Sequence, residues 1–95
     1  MSLEISNVNL PREVVKNTVL KTLRSKVEEI NFKLLEASKI MAYYEKKYGL
    51  KTDHFYEKFT QGALNDDLDF FEWKALKEIH DELENEKKVL LEAIK

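Results

Sequence analysis

From Leu20 onward the apolar positions of the chain fall at Leu20, Leu23, Val27, Ile30, Leu34, Ala37, Met41, Tyr44 and Tyr48. The steps alternate between three and four residues without a miss. That is the heptad spacing that holds one stripe of a helix against a neighbour. Pro11 stands where a first helical turn tolerates proline. The pattern therefore predicts one helix from about Pro11 to Tyr48, roughly 55 Å long at 1.5 Å per residue. Gly49 is its expected stop, a residue able to turn left-handed after the last turn while Leu50 folds back onto the Tyr44 turn.

Two further helices are predicted. Thr52 or Asp53 can cap a short one whose apolar face is Phe55 and Phe59, ended by Gln61-Gly62. Asn65-Asp66-Asp67 opens the third, with caps and negative charge where the helix dipole favours them. Its expected stripe is Leu68, Ala75, Leu76, Ile79, Leu83, Leu90 and Ile94. The expected fold is all-α: a long helix, a short helix at the bend and a second long helix, forming a helical hairpin with a coiled-coil-like seam. Residues 2–10, SLEISNVNL, break the pattern and read as an N-terminal arm. The division is a 1–10 arm and one helical-hairpin domain over 11–95.

A hairpin of two long helices buries one stripe on each and leaves the flanks wet. Here the flanks are not polar. Phe32 and Tyr43 fall on nearly one line, roughly 150° from the seam of the first helix at 100° per residue, with Leu35 and Ile40 beside it. Val89 and Leu91 widen the third helix's stripe late. Each large apolar side chain left in water forgoes about 1.5–3 kcal/mol of burial, so a second contact surface is expected. A homodimer closing into a four-helix arrangement is the simplest way to supply it.

Composition narrows the classes. The 95 residues are 36% charged and 43% hydrophobic, with two glycines, one proline and no cysteine. Disulfide scaffolds, cysteine zinc sites and thiol nucleophiles are thereby excluded. No apolar run is long enough to span a membrane, and the N-terminus lacks a signal peptide's pattern, so a soluble, cytoplasmic protein is expected. The net charge of −2 offers no bulk attraction to nucleic acid. The charge is polarised, however: the basic excess is densest at Arg12, Lys16, Lys21, Arg24 and Lys26, and the second half is acidic. Such a chain can pair its own halves, or two copies can pair head to tail.

The run Asn65-Asp66-Asp67-Leu68-Asp69-Phe70-Phe71-Glu72-Trp73 concentrates acids and aromatics. Its spacing does not meet a calcium loop's ligand pattern, so helix capping explains the acids better than a metal does. The aromatics read in two ways: as a mini-core fixing the bend under Phe55, Tyr56 and Phe59, or as anchors for a partner. Phe70 is expected nearly opposite the third helix's stripe, with Phe71 and Trp73 on either side of it. Glu72 is expected near the stripe's centre, where it needs Lys46, Lys47, a tyrosine hydroxyl or solvent. His54 and His80 lack partners at metal-binding spacing, there is no glycine-rich phosphate loop, and no Ser/His/Asp grouping can be built. No enzymatic activity, no cofactor and no small-molecule substrate is expected.

The strings Lys47-Tyr48-Gly49, Asp53-His54-Phe55-Tyr56-Glu57-Lys58-Phe59 and Gly62-Ala63-Leu64-Asn65-Asp66-Asp67-Leu68-Asp69-Phe70-Phe71-Glu72-Trp73-Lys74-Ala75-Leu76 resemble a group of small prokaryotic helical antitoxin-like proteins. The resemblance covers about residues 45–83. It implies a protein encoded beside a small toxin and binding it. An acidic, aromatic helical surface would then cover a basic active site, with Asp66, Asp67, Asp69 and Glu72 supplying charge and Phe70, Phe71 and Trp73 supplying anchors. The alternative is a self-assembling helical scaffold or subunit with no toxin partner, in which Phe32 and Tyr43 make the contact.

Overall fold

A computed structural model describes residues 11–95 of the chain. The N-terminal arm expected over 1–10 lies outside the described residues. The described chain is all-helical: α1 runs over Arg12–Tyr48, α2 over Thr52–Thr60 and α3 over Leu68–Ile94. The two long helices pack antiparallel into a hairpin about 61 Å long, and α2 fills the bend.

Each boundary has a local cause. Pro11 precedes α1 in an extended conformation, and its carbonyl accepts from Val14 and Val15 N–H. At the other end Gly49 takes φ 67°, and its N–H donates to the Glu45 carbonyl, a left-handed stop of the single-bond type. Leu50 then packs back against the bend as expected. Gly62, at φ 74°, ends α2 with the paired bonds of a Schellman motif, Gly62 N–H to Phe59 O and Ala63 N–H to Lys58 O. Asp67 caps α3 by accepting from Asp69 N–H at 2.9 Å. Asn65 in turn accepts from Asp67 N–H at 3.1 Å.

The start of α2 differs from expectation in its chemistry. Neither the Thr52 nor the Asp53 side chain caps it. Lys51 is the capping position, and the Glu45 carboxylate of α1 accepts the Thr52 N–H at 2.8 Å instead. The Thr52 hydroxyl is thereby left to accept from Trp73 Nε1–H at 3.0 Å.

The seam of α1 is the one its heptads predict. Ile30, Leu34, Ala37, Met41 and Tyr44 are buried, and Leu20, Leu23, Val27 and Tyr48 are half-buried. The seam of α3 is rotated from the expected stripe. Leu68 is 83% exposed, and Ala75 and Ile79 also face outward. The inward line is Trp73, Leu76, His80, Leu83, Lys87, Leu90 and Ile94, which is itself a heptad. Two of its positions are polar, His80 and Lys87, and both are half-buried, as amphipathic side chains on a seam can be. That polarity hid the true register and shifted the expected stripe toward Ile79.

Hydrogen bonds at the bend set the level of one helix against the other. Tyr44 meets Glu72, and Tyr48 meets Asp69. Counting back along both helices sets Ile30 level with Lys87, and Leu23 level with Ile94. The first turns of α1 therefore extend roughly 16 Å beyond the last turn of α3.

Candidate protein-interaction surfaces

The bend is a three-helix aromatic core. Phe55 of α2 stacks on Trp73 of α3 at 3.8 Å between ring centroids and 5° between planes, and both are fully buried. Met41 and Tyr44 of α1 and Phe70 of α3 complete the buried cluster, with Tyr48, Leu50, Tyr56, Phe59, Leu64 and Leu76 around it. Stacked aromatics at these separations add about 0.5–1.5 kcal/mol per pair beyond the area they bury. Among the described residues, no buried side-chain polar atom lacks a hydrogen-bond partner.

Three tyrosine–carboxylate pairs tie α3 to the other two helices. Tyr44 Oη–H donates to Glu72, Tyr48 Oη–H to Asp69 at 2.6 Å, and Tyr56 Oη–H to Glu78 at 2.7 Å. The carboxylate of Glu72 and the burial of the ring push the Tyr44 phenol up to about 12. Tyr48 and Tyr56 shift the same way for the same causes. Asp69 also accepts from Lys47 at 2.7 Å, and that ammonium together with the Tyr48 hydroxyl holds its carboxyl below the usual range. Glu78 is lowered by Tyr56 and Lys74. Lys77 reaches Asp81 at 2.6 Å and Asp53 at 3.4 Å, linking α3 to the first turn of α2.

The residues singled out from the sequence separate into three groups. Phe70 and Trp73 lie inside the bend core, where they hold the three helices together and present no surface. Their expected positions, opposite the stripe and beside it, are corrected accordingly: Trp73 sits on the seam, and Phe70 is covered by α2. Asp67 and Asp69 are engaged within the chain, as helix cap and as ion pair. Glu72 is corrected too. It lies at the solvent edge of the seam, not at the stripe's centre, and accepts from a tyrosine hydroxyl, one of the partners expected for it. Phe32, Tyr43, Asp66 and Phe71 are exposed, Phe71 with its ring edge against Phe59 at 5.3 Å.

The two flanks of the hairpin differ in kind. On one, α2 lies over Phe70, Trp73, Lys77 and Glu78. Below it runs a polar cleft lined by residues including Ser38, Glu45, Asp53, Lys77, His80 and Asp81. The fold thus brings a serine, a histidine and an aspartate to one cleft, a grouping sequence reasoning did not build. It has no relay geometry. His80 Nδ1 stands 3.6 Å from Asp81 Oδ1, beyond hydrogen-bond reach, and Lys77 holds the other Asp81 oxygen.

The opposite flank has no α2. It carries an open apolar groove of about 470 Å³ between the long helices, lined by Phe32, Ala37 and Ile40 of α1 and Leu76, Ile79 and Leu83 of α3, with Lys33 and Glu36 at its edge. Phe32 is 65% exposed, Tyr43 just beyond it 59%, and Ile79 48%. The α1 side of this face is legible in the sequence, but Ile79, expected in the buried seam, lies instead on the groove's α3 wall. The available signal was a second line of apolar residues on each long helix, offset to the same side.

Among the described residues, no group of His, Cys, Asp and Glu is placed to hold a metal ion, and no helix is long and apolar enough to cross a membrane. The fold defines the class as an all-α helical hairpin. The chain matches no protein-family model, no curated protein and no solved structure.

Proposed function

We propose that this protein is a non-enzymatic interaction module, and that it acts as the antitoxin-like partner of a small basic protein. The observation that carries the reading is the outer surface of the bend. There Glu57 of α2, Asp66 before α3 and the half-exposed ring of Phe71, which meets Phe59 edge-on, are open to solvent at the end of the molecule whose core is Trp73 and Phe55. Acids around an aromatic anchor on a rigid support suit a cationic partner site: the charge steers the encounter and the ring supplies desolvated contact. Inhibition would follow from occupancy alone, with no chemistry asked of this chain. The antitoxin-like part of the reading is the one that the expected resemblance of residues 45–83 implies.

Its test is calorimetric titration of the full chain with the product of the adjacent gene. Glu57→Lys with Asp66→Lys should weaken binding at least tenfold, with little effect on folding, because neither residue caps a helix or enters the core. Phe71→Ala should raise the dissociation rate. A wild-type chain that gives no heat with that product would remove the antitoxin-like reading. Self-assembly, the second reading, draws on a different surface, the apolar flank of the stem.

A further inference from the structure

The apolar groove has a definite place in the molecule. Its α1 wall is centred on Glu36, midway between Phe32 and Ile40, and its α3 wall lies between Leu76 and Leu83. The pairing of Tyr44 with Glu72 and Tyr48 with Asp69 puts those two centres at one level. The face is therefore symmetric about a line crossing the hairpin at Glu36, with apolar residues on either side of it. A self-complementary patch of this kind is what an isologous contact requires.

The charges decide which way round a second copy would lie. The free end of α1, residues 12–27, carries five cations, Arg12, Lys16, Lys21, Arg24 and Lys26, against the single acid Glu13. The final stretch of α3, residues 84–95, lies beside only the later part of that end, holds three acids and three lysines and is neutral. The bend end, residues 45–72, holds seven acids against four lysines. The rod is thus positive at its open end and negative at its bend. The ends of a 61 Å rod are several Debye lengths apart, so each acts only on what touches it. Two copies laid with their bends together would bring like charges into contact. Two copies laid antiparallel about that line bring Lys21, Arg24 and Lys26 of each to the level of the other's acidic bend, with Arg12 and Lys16 projecting beyond it.

We propose that the apolar flank is the contact surface for a second copy of this chain, related by a twofold axis near Glu36 that sets the two hairpins antiparallel in a four-helix arrangement. In that arrangement α1 lies against the partner's α1. Phe32 of one copy packs toward Ile40 of the other, and the α3 walls meet in the same sense. Because α2 occupies the opposite flank, it does not obstruct the contact. Both contacts draw on the acids of the bend, but the groove does not include Phe71, so the Phe71→Ala result and the dimer can fail separately.

Size-exclusion chromatography with light scattering on the full chain should return twice the 11.3 kDa chain mass. Ile79→Glu and Ile40→Glu should each return the monomer mass with helical circular dichroism unchanged, since both side chains are already partly in water. Raising salt from ~0.05 to ~0.5 M should loosen the wild-type dimer several-fold by screening the end-to-end attraction. Orientation is read separately, because the chain has no cysteine of its own. Glu36→Cys should oxidise to a covalent dimer, and Ser38→Cys, on the polar flank, should not. A wild-type monomer, a dimer that survives Ile79→Glu, or a Glu36→Cys chain that stays uncrosslinked within a dimer would each overturn the proposal. Phe71→Ala, which alters the outer bend surface without changing its charge, should leave the dimer mass and the Glu36→Cys crosslink unchanged.

Discussion

The bend and the stem of this hairpin are built from the same kinds of residue and held to different standards. At the bend three helices converge, so α3 buries a wider stripe: Trp73 and Phe70 are both covered although they project about 60° apart. In the stem only two helices meet. Each buries a single stripe there, and Phe32, Ile40 and Ile79 remain in water. The difference shows that what buries a side chain is the number of neighbouring elements it can reach. Its own hydrophobicity does not suffice. The complete core is therefore at the bend, and the surface with something left to cover is the stem.

That contrast can be broken most forcefully at Trp73. Trp73→Ala removes the ring that Phe55 stacks on and the donor that Thr52 accepts, and should cost about 3–5 kcal/mol. In the stem, Ile30→Ala should cost about 2–4 kcal/mol, because fewer surrounding side chains lose contact. Denaturant titrations of the two variants would reverse the ranking of bend over stem if Ile30→Ala proved the more damaging. A smaller effect is expected from Tyr44→Phe. It removes one interhelical hydrogen bond, worth about 1 kcal/mol, and leaves Glu72 free to meet solvent at the seam edge.

The pH dependence sharpens the same comparison. Tyr44 has its phenol raised from 10.0 to about 12 in the folded chain. A group raised on folding contributes its full stabilisation below the unfolded value and loses it as pH climbs through the folded one. Thermal midpoints should therefore fall between about pH 10 and 12, and Tyr44→Phe should flatten that fall. Asp69 and Glu78 act in the opposite sense. Their carboxyls are lowered, so their contribution is present at neutral pH and disappears as pH drops below the ordinary carboxylate range. The smallest effect belongs to Val89, exposed on the outer face of α3 away from the groove. Val89→Thr should stay within about 0.5 kcal/mol of wild type by denaturant titration.

How far the chain could be read beforehand varied by element. α1 was legible from end to end because its heptads are apolar at every position and Pro11 and Gly49 bracket them. The boundaries of α2 and α3 were legible for similar reasons. The facing of α3 was not. Its seam runs through His80 and Lys87, which a pattern of apolar residues passes over, while Leu68 and Ile79 satisfy such a pattern and lie outside. Among the candidate site residues, Phe32 and Tyr43 stand exposed where helical geometry put them. Trp73 and Phe70 turn inward because α2 covers the side of α3 that would otherwise be bare.

Periodicity, proline, glycine and the capping acids by themselves determined three helices, their order and their lengths, since these depend on each residue and its neighbours within a turn or two. Only the tertiary structure decided the rotation of α3, the flank on which α2 lies and hence which flank is left apolar. Those choices follow from the stacking of Phe55 on Trp73 and the pairing of tyrosines with carboxylates across helices. Such contacts join residues about twenty to thirty positions apart, and no local pattern encodes them.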